Sequence, residues 1–205
     1  MNIKLDNHIY LNLFVTLIFL IISLNYLYNA YPAEDALILY RYSNNFYNFF
    51  EIVFNKGDRP VEGATDFLWM ISIAILKFLK FDPAVSAILI NSISFFLIIN
   101  IISRKLFKNI NLIYQLIFTF LFLNIGSIIN PSIMGFSTIT FFALGSLVFL
   151  YAIEKKIYLW TIFSILFCLF RPEAVIFFIF SIPIIYIKLN NIEIKKFYTF
   201  LIILI

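Results

Sequence analysis

The chain has 205 residues, 63% of them hydrophobic and 20% aromatic, with only 13% charged and a mean hydropathy of +0.99. Soluble domains run about 45–50% apolar and about 25% charged, so this composition excludes an ordinary water-soluble fold and points to an integral membrane protein. The net charge of +4 comes from basic residues scattered between apolar runs, without the continuous stripe that nucleic-acid binding requires.

The first apolar run covers residues 9–28. It is about twice the length of a signal-peptide h-region and is followed by no clear A-x-A site, so it reads as a retained first span. His8, the one histidine, stands just before it and reads as an interfacial residue. Further runs of spanning length cover residues 84–102, 112–129 and 137–153, with a turn expected over residues 130–134. Two shorter runs, 157–170 and 174–188, flank Arg171-Pro172-Glu173. A last run, 197–205, ends with the chain well short of the about 20 residues that a span needs, so a truncated product or a fragment of a longer protein is expected. Cys168 lies inside an apolar run and has no possible intrachain partner. A disulfide, a Cys-x-x-Cys pair and a multi-histidine metal site are therefore excluded.

Between the first two spans lies the polar part of the chain. Residues 32–69 hold Glu34, Asp35, Glu51, Asp58, Glu62 and Asp66, six of the eleven acids. Pro32 with Glu34 and Asp35 reads as a helix start, because proline suits a first turn and acids complement the positive end of the helix dipole. Ile38, Tyr42, Phe46 and Phe49 then recur at helical spacing, giving an amphipathic helix able to rest on a bilayer. Glu34, Arg41 and Asn45 fall on another face. On periodicity alone the two acids could do no more than cap this helix. Residues 55–60 carry turn chemistry, and Thr65 and Asp66 could cap the apolar stretch that follows.

That stretch, residues 67–80, is apolar but short. The distribution of lysine and arginine decides its placement, since cytoplasmic loops are enriched in both. With the N-terminus inside and this stretch not crossing, nine basic residues lie inside and six outside; if it crosses, four lie inside and eleven outside. It is therefore expected to lie along the outer face, with Trp69 at headgroup depth and Lys77 and Lys80 snorkelling. An outer loop then runs over residues 29–82, and Arg171-Pro172-Glu173 also faces outward. Arg171 and Glu173 could neutralise one another, or Arg171 could offer its planar fork to a phosphate.

The ordered pattern EDALILYRYSNN, followed by VFNKGDRPVEGATDFLW, resembles the first outer loop of GT-C-type polyprenyl-phosphate-sugar glycosyltransferases, in their arabinofuranosyltransferase-like branch. Arg171-Pro172-Glu173-Ala174 is similar to an R-P-E-G motif further along such chains. The resemblance covers about residues 29–187. It implies a single all-α, polytopic GT-C-like bundle over residues 1–205, with juxtamembrane helices in its outer loop. It further implies transfer of a sugar from a polyprenyl-phosphate donor to a glycan or lipid acceptor, on the outer face of a bacterial plasma membrane. In that reading Asp35 is the general base, with Glu34 as support or alternate. Arg41, Tyr42, Glu62, Thr65, Trp69, Arg171 and Glu173 bind substrate or phosphate. No organic cofactor is implied; a divalent cation is left open and no metal ligand is assigned. Two departures stand out: Ser137 occupies the place of a family glutamate, and Arg59-Pro60 replaces the acid before V-E-G. A transporter or flippase and a non-catalytic scaffold are the rival readings.

Overall fold

The computed structural model describes residues 3–60, 63–106 and 111–187. Among the described residues the chain is all-helical, with no strand. The helices are α1 (Ile3–Asn29), α2 (Glu34–Phe49), α3 (Phe67–Phe78), α4 (Pro83–Leu106), α5 (Leu112–Leu123), α6 (Gly126–Ile133), α7 (Thr138–Ile153), α8 (Ile157–Phe170) and α9 (Ala174–Tyr186). The expected run 197–205 lies outside the described residues.

Among the described residues two helices are long and apolar enough to cross a membrane, over His8–Asn29 and Pro83–Ser103. A third span exists if α5 and α6 count as one broken element, because they meet at a bend of 65°. This corrects the expectation of a continuous helix over residues 112–129. The helix tightens at its end, where Asn124 N bonds Leu121 O at 3.0 Å and Ile125 N bonds Phe122 O at 3.1 Å. The expected turn at residues 130–134 is the end of α6, which carries Pro131 within it. Helices α3, α7, α8 and α9 are apolar but shorter, 12 to 16 residues. At 1.5 Å per residue, even a 16-residue helix is about 24 Å long, less than the about 30 Å hydrocarbon core.

The chain forms two compact units: Met1–Ala64 with Met70–Thr140, and Thr65–Trp69 with Phe141–Ile205. In the first, α1 and α4 run antiparallel. Asn12 meets Asn100 and Ser103, Phe19 stacks on Phe95 at 5.0 Å, and the end of α1 shares a cavity wall with the start of α4. Helix α4 starts sharply because Asp82 Oδ1 accepts the Ala84 amide at 2.9 Å and Pro83 fills the first helical position, where no amide donor is needed.

Polar residues hold the apolar helices of this unit together. Gln115 Nε2 donates to Asn12 Oδ1 at 2.6 Å and to Ser103 Oγ at 2.8 Å, while Asn12 Nδ2 donates to Asn100 Oδ1 at 3.1 Å. His8 closes the cluster by hydrogen bonding Gln115 Oε1, so it is a partner of α5 as well as a residue near the first span's start. Asn91 does similar work at the α6 terminus. Its Nδ2 donates to Ser132 O at 2.9 Å and Phe136 O at 2.8 Å, which ties α4 to the end of α6 and to the loop after it. Such bonds matter most where no water can replace them.

The second unit is built on α7, α8 and α9. Phe141 packs on Phe167 at 4.7 Å and Tyr151 on Phe163 at 5.3 Å, so α7 and α8 are antiparallel. Trp160 stacks on Phe178 at 5.5 Å and its Nε1 donates to Ser181 Oγ at 3.0 Å, which pins α8 to α9. The break between those helices follows from Pro172. The residue before a proline avoids helical angles, and Arg171 is extended at φ −150, ψ 143.

Candidate functional site

A cavity of about 950 Å³ opens in the first unit, where α1 ends and α4 begins. Pockets for small ligands run about 300–1,000 Å³, so this one is at the roomy end. Its wall combines Tyr28, Tyr31 and Tyr40 with Asn29, Asn44 and Asn45, and its charged residues are Arg41 and Asp82. The apolar part is Leu27, Ala30, Pro32, Leu37, Pro83 and Ala84. Aromatic faces, amides, one cation and one carboxylate thus share one cavity wall.

Helix α2 supplies the wall. Its buried face carries Ala36, Leu39, Tyr40, Tyr42 and Ser43. Tyr42 was expected on a bilayer-facing stripe; it is instead 1% exposed, against Gly63 and 5.9 Å from the Phe54 ring. Pro32 lies before the N-cap rather than in the first turn; the N-cap is Ala33, whose methyl group makes no capping hydrogen bond. Glu34 and Asp35 are the acids of the first turn and both are exposed. Neither lines the cavity, but Pro32 and Leu37 on either side of them do.

Arg41 and Asn45, one turn apart, bind the returning loop. Arg41 Nε donates to Phe54 O at 2.8 Å, Nη2 donates to Asn55 Oδ1, and its guanidinium carbon lies 4.4 Å from the centre of the Phe54 ring. Asn45 Nδ2 donates to Val53 O at 2.8 Å and Phe54 O at 2.9 Å. The R-Y-x-x-N and V-F-N segments, matched separately in the sequence, are thus one clasp. Arg41 still lines the cavity while holding that clasp.

Tyr40 gives the wall a neutral donor. It is 5% exposed, its hydroxyl donates to Gly135 O at 3.5 Å, and burial pushes its phenol well above the usual range, with the Asp82 carboxylate adding to the effect. Gly135 makes this approach possible. It sits at φ 99, and a Cβ there would run into the Tyr40 hydroxyl and lie 3.1 Å from Ala36 Cβ. Ala33 N also bonds Met134 O at 3.0 Å, so the α6–α7 loop fastens the start of α2.

The remaining sequence-selected residues belong to the second unit, apart from Glu62, which lies outside the described residues. Arg171 is met by two acids. Its Nε stands 3.4 Å from Asp66 Oδ1, the separation of an ion pair without the alignment of a hydrogen bond, and Nη2 donates to Glu173 Oε1 at 3.3 Å. Its guanidinium also lies 5.5 Å from the centre of the Phe141 ring. Glu173 is open to solvent and Thr65 is exposed. Trp69 corrects an expectation: it is 0% exposed, packed 6.0 Å from the Phe170 ring, with no hydrogen-bond partner for Nε1. An indole so enclosed presents no surface to headgroups or to a sugar.

Sequence reasoning missed Asp82, Asn44, Tyr28 and Tyr31 in the cavity wall and Asp66 beside Arg171. The Asp82-Pro83 pair was legible as a helix start; the tyrosines and Asn44 carried no signal apart from the fold. Among the described residues no group of three or more His, Cys, Asp or Glu could hold a metal ion. Comparison of the chain with protein-family models, with curated proteins and with solved structures finds no match.

Proposed function

We propose that the chain is a GT-C-type membrane glycosyltransferase that moves a sugar from a polyprenyl phosphate to an acceptor hydroxyl at the cavity walled by α2. The observation that carries this reading is the cavity's place, at the end where one apolar helix of spanning length finishes and another starts, with Arg41 in its wall. A lipid-linked phosphate needs this combination: tail in the bilayer, phosphate at a cation, sugar among amides and tyrosines. The loop pattern that resembles the family supports the same reading. The N-terminus is placed in the cytoplasm and the cavity on the outer face of a bacterial plasma membrane, as the lysine and arginine bias favours.

The chemistry is an inverting displacement. The acceptor oxygen attacks the anomeric carbon, its proton passes to the Asp35 carboxylate, and the anomeric C–O bond to phosphate breaks. Polyprenyl phosphate leaves with its charge met by Arg41. Arg171 is the weaker candidate for that role because Asp66 and Glu173 already neutralise it. The test is turnover of a labelled polyprenyl-phosphate sugar by the full chain in lipid. Asp35→Asn is expected to abolish transfer while leaving expression intact; normal turnover by the variant sinks the assignment.

The 65° bend between α5 and α6 favours a second reading, a transporter or flippase, since broken helices commonly frame transport sites. Movement of the lipid-linked sugar between leaflets without cleavage of its glycosyl bond would select it.

A further inference from the structure

Asp82 is the carboxylate of the cavity wall, and its part in the fold leaves most of it unused. Its Oδ1 accepts the Ala84 amide at 2.9 Å and so caps α4. An ionised carboxylate has about four lone-pair sites, so further donors can be accepted. Capping does not need the charge, because asparagine and serine cap a helix about as well as aspartate. Among the described residues no lysine or arginine ion-pairs with Asp82. Arg41, the cation of the same wall, is held by Phe54 O and Asn55 instead. The cavity thus keeps a cation and an anion that do not cancel. The Asp82 charge is felt within the wall, since it adds to the burial that pushes the Tyr40 phenol up. Tyr28 and Tyr31, 89% and 88% exposed, add open ring surface.

A carboxylate beside open tyrosine rings suits a partner with many O–H donors and an apolar ring face. It repels a second anion. We infer that Asp82 accepts hydroxyl groups of the donor sugar and confines the donor to sugars that carry no acidic group. The inference rests on the proposed sugar transfer and gives it a substrate class: Arg41 meets the phosphate of the lipid, and Asp82 meets the sugar ring. A neutral hexose has hydroxyls to spare for one carboxylate. A uronic acid brings a second negative charge to the same wall, where Arg41 is already engaged by the phosphate.

The test uses the full chain in lipid nanodiscs with a fluorescent polyprenyl phosphate as the bound probe. Unlabelled glucosyl and glucuronosyl polyprenyl phosphates compete for it; they differ only at C6, a hydroxymethyl group in one and a carboxylate in the other. The glucosyl lipid is expected to displace the probe at about tenfold lower concentration. Asp82→Asn keeps an acceptor for the Ala84 amide, so the melting temperature is expected to hold while the preference for the glucosyl lipid disappears. Equal displacement by both lipids from the wild-type chain, or a preference that survives in Asp82→Asn, overturns the inference and leaves phosphate binding at Arg41 standing. A probe that does not bind, or that binds Arg41→Ala equally well, overturns the proposed transfer and this inference with it.

Discussion

Two of the chain's four arginines, Arg41 and Arg171, have surroundings that differ in kind. Arg41, in the first unit, spends its donors on a backbone carbonyl and an asparagine and still lines a cavity. Arg171, in the second, faces Asp66 and Glu173 and covers an aromatic ring. One cation meets neutral groups and keeps its charge available; the other is neutralised where it stands. In a background of Ile, Leu and Phe, the presence of an arginine therefore says less than the number of carboxylates that reach it. That contrast separates an arginine on a cavity wall from an arginine paired at a helix break.

The largest effect is expected at Asp35. General-base catalysis is worth about 10²- to 10⁴-fold, so Asp35→Asn is expected to lower transfer by that factor with unchanged folding. Next comes the arginine pair itself. Arg41→Ala is expected to weaken binding of a polyprenyl phosphate by about 1.5–3 kcal/mol, roughly ten- to a hundredfold, because a charge-assisted bond is lost. Arg171→Ala is expected to leave that binding unchanged and to lower the melting temperature, since it removes the cation beside the Asp66 carboxylate, only 10% exposed. Asn55→Ala is the control: it loosens the same loop as Arg41→Ala, lies outside the cavity wall and keeps the cation. Equal loss of binding from both arginine variants would erase the contrast.

Smaller effects test the scaffold under each site. Gly135→Ala forces an L residue into positive φ against Tyr40, at a cost of about 1–3 kcal/mol in thermal or denaturant unfolding. Gln115→Leu removes bonds to Asn12 and Ser103 and is expected to cost about 0.6–2 kcal/mol in detergent unfolding, the range for polar contacts between membrane helices. The smallest effect is one of pH. The Tyr40 phenol keeps its proton in the folded state above the ordinary value of 10.0, while the unfolded chain loses it. The unfolded state then binds fewer protons, so stability falls as pH rises past 10.0. Tyr40→Phe is expected to remove that part of the slope.

Much of the helical layout was legible because apolar runs bounded by proline, aspartate and asparagine leave few alternatives. Residues 157–170 match α8, and residues 9–28 and 84–102 lie within α1 and α4. The break at Asn124 was passed over although Gly126 stands two residues on, because a single glycine inside a long apolar run does not by itself end a helix; the i−3 bonds of Asn124 and Ile125 show it. Trp69 was misplaced for a physical reason: amphipathic spacing shows that a tryptophan has a preferred side but not whether lipid or Phe170 fills it. The cavity was half legible. Arg41 and Asn45 stood in the sequence pattern, whereas Asp82 and Tyr28 reach the same wall only because α1 and α4 run antiparallel.

The central claim is that a lipid phosphate meets this chain at the α2 wall. The measurement that bears on it most directly is photolabelling of the full chain, in lipid, with a polyprenyl phosphate carrying a photoreactive group beside the phosphate, followed by mapping of the modified residues. The account predicts labels on the cavity wall, among Tyr28, Tyr31, Asn44 and Pro83, that fall sharply with Arg41→Ala. Labels confined to α7, α8 and α9, unchanged by that substitution, would contradict it.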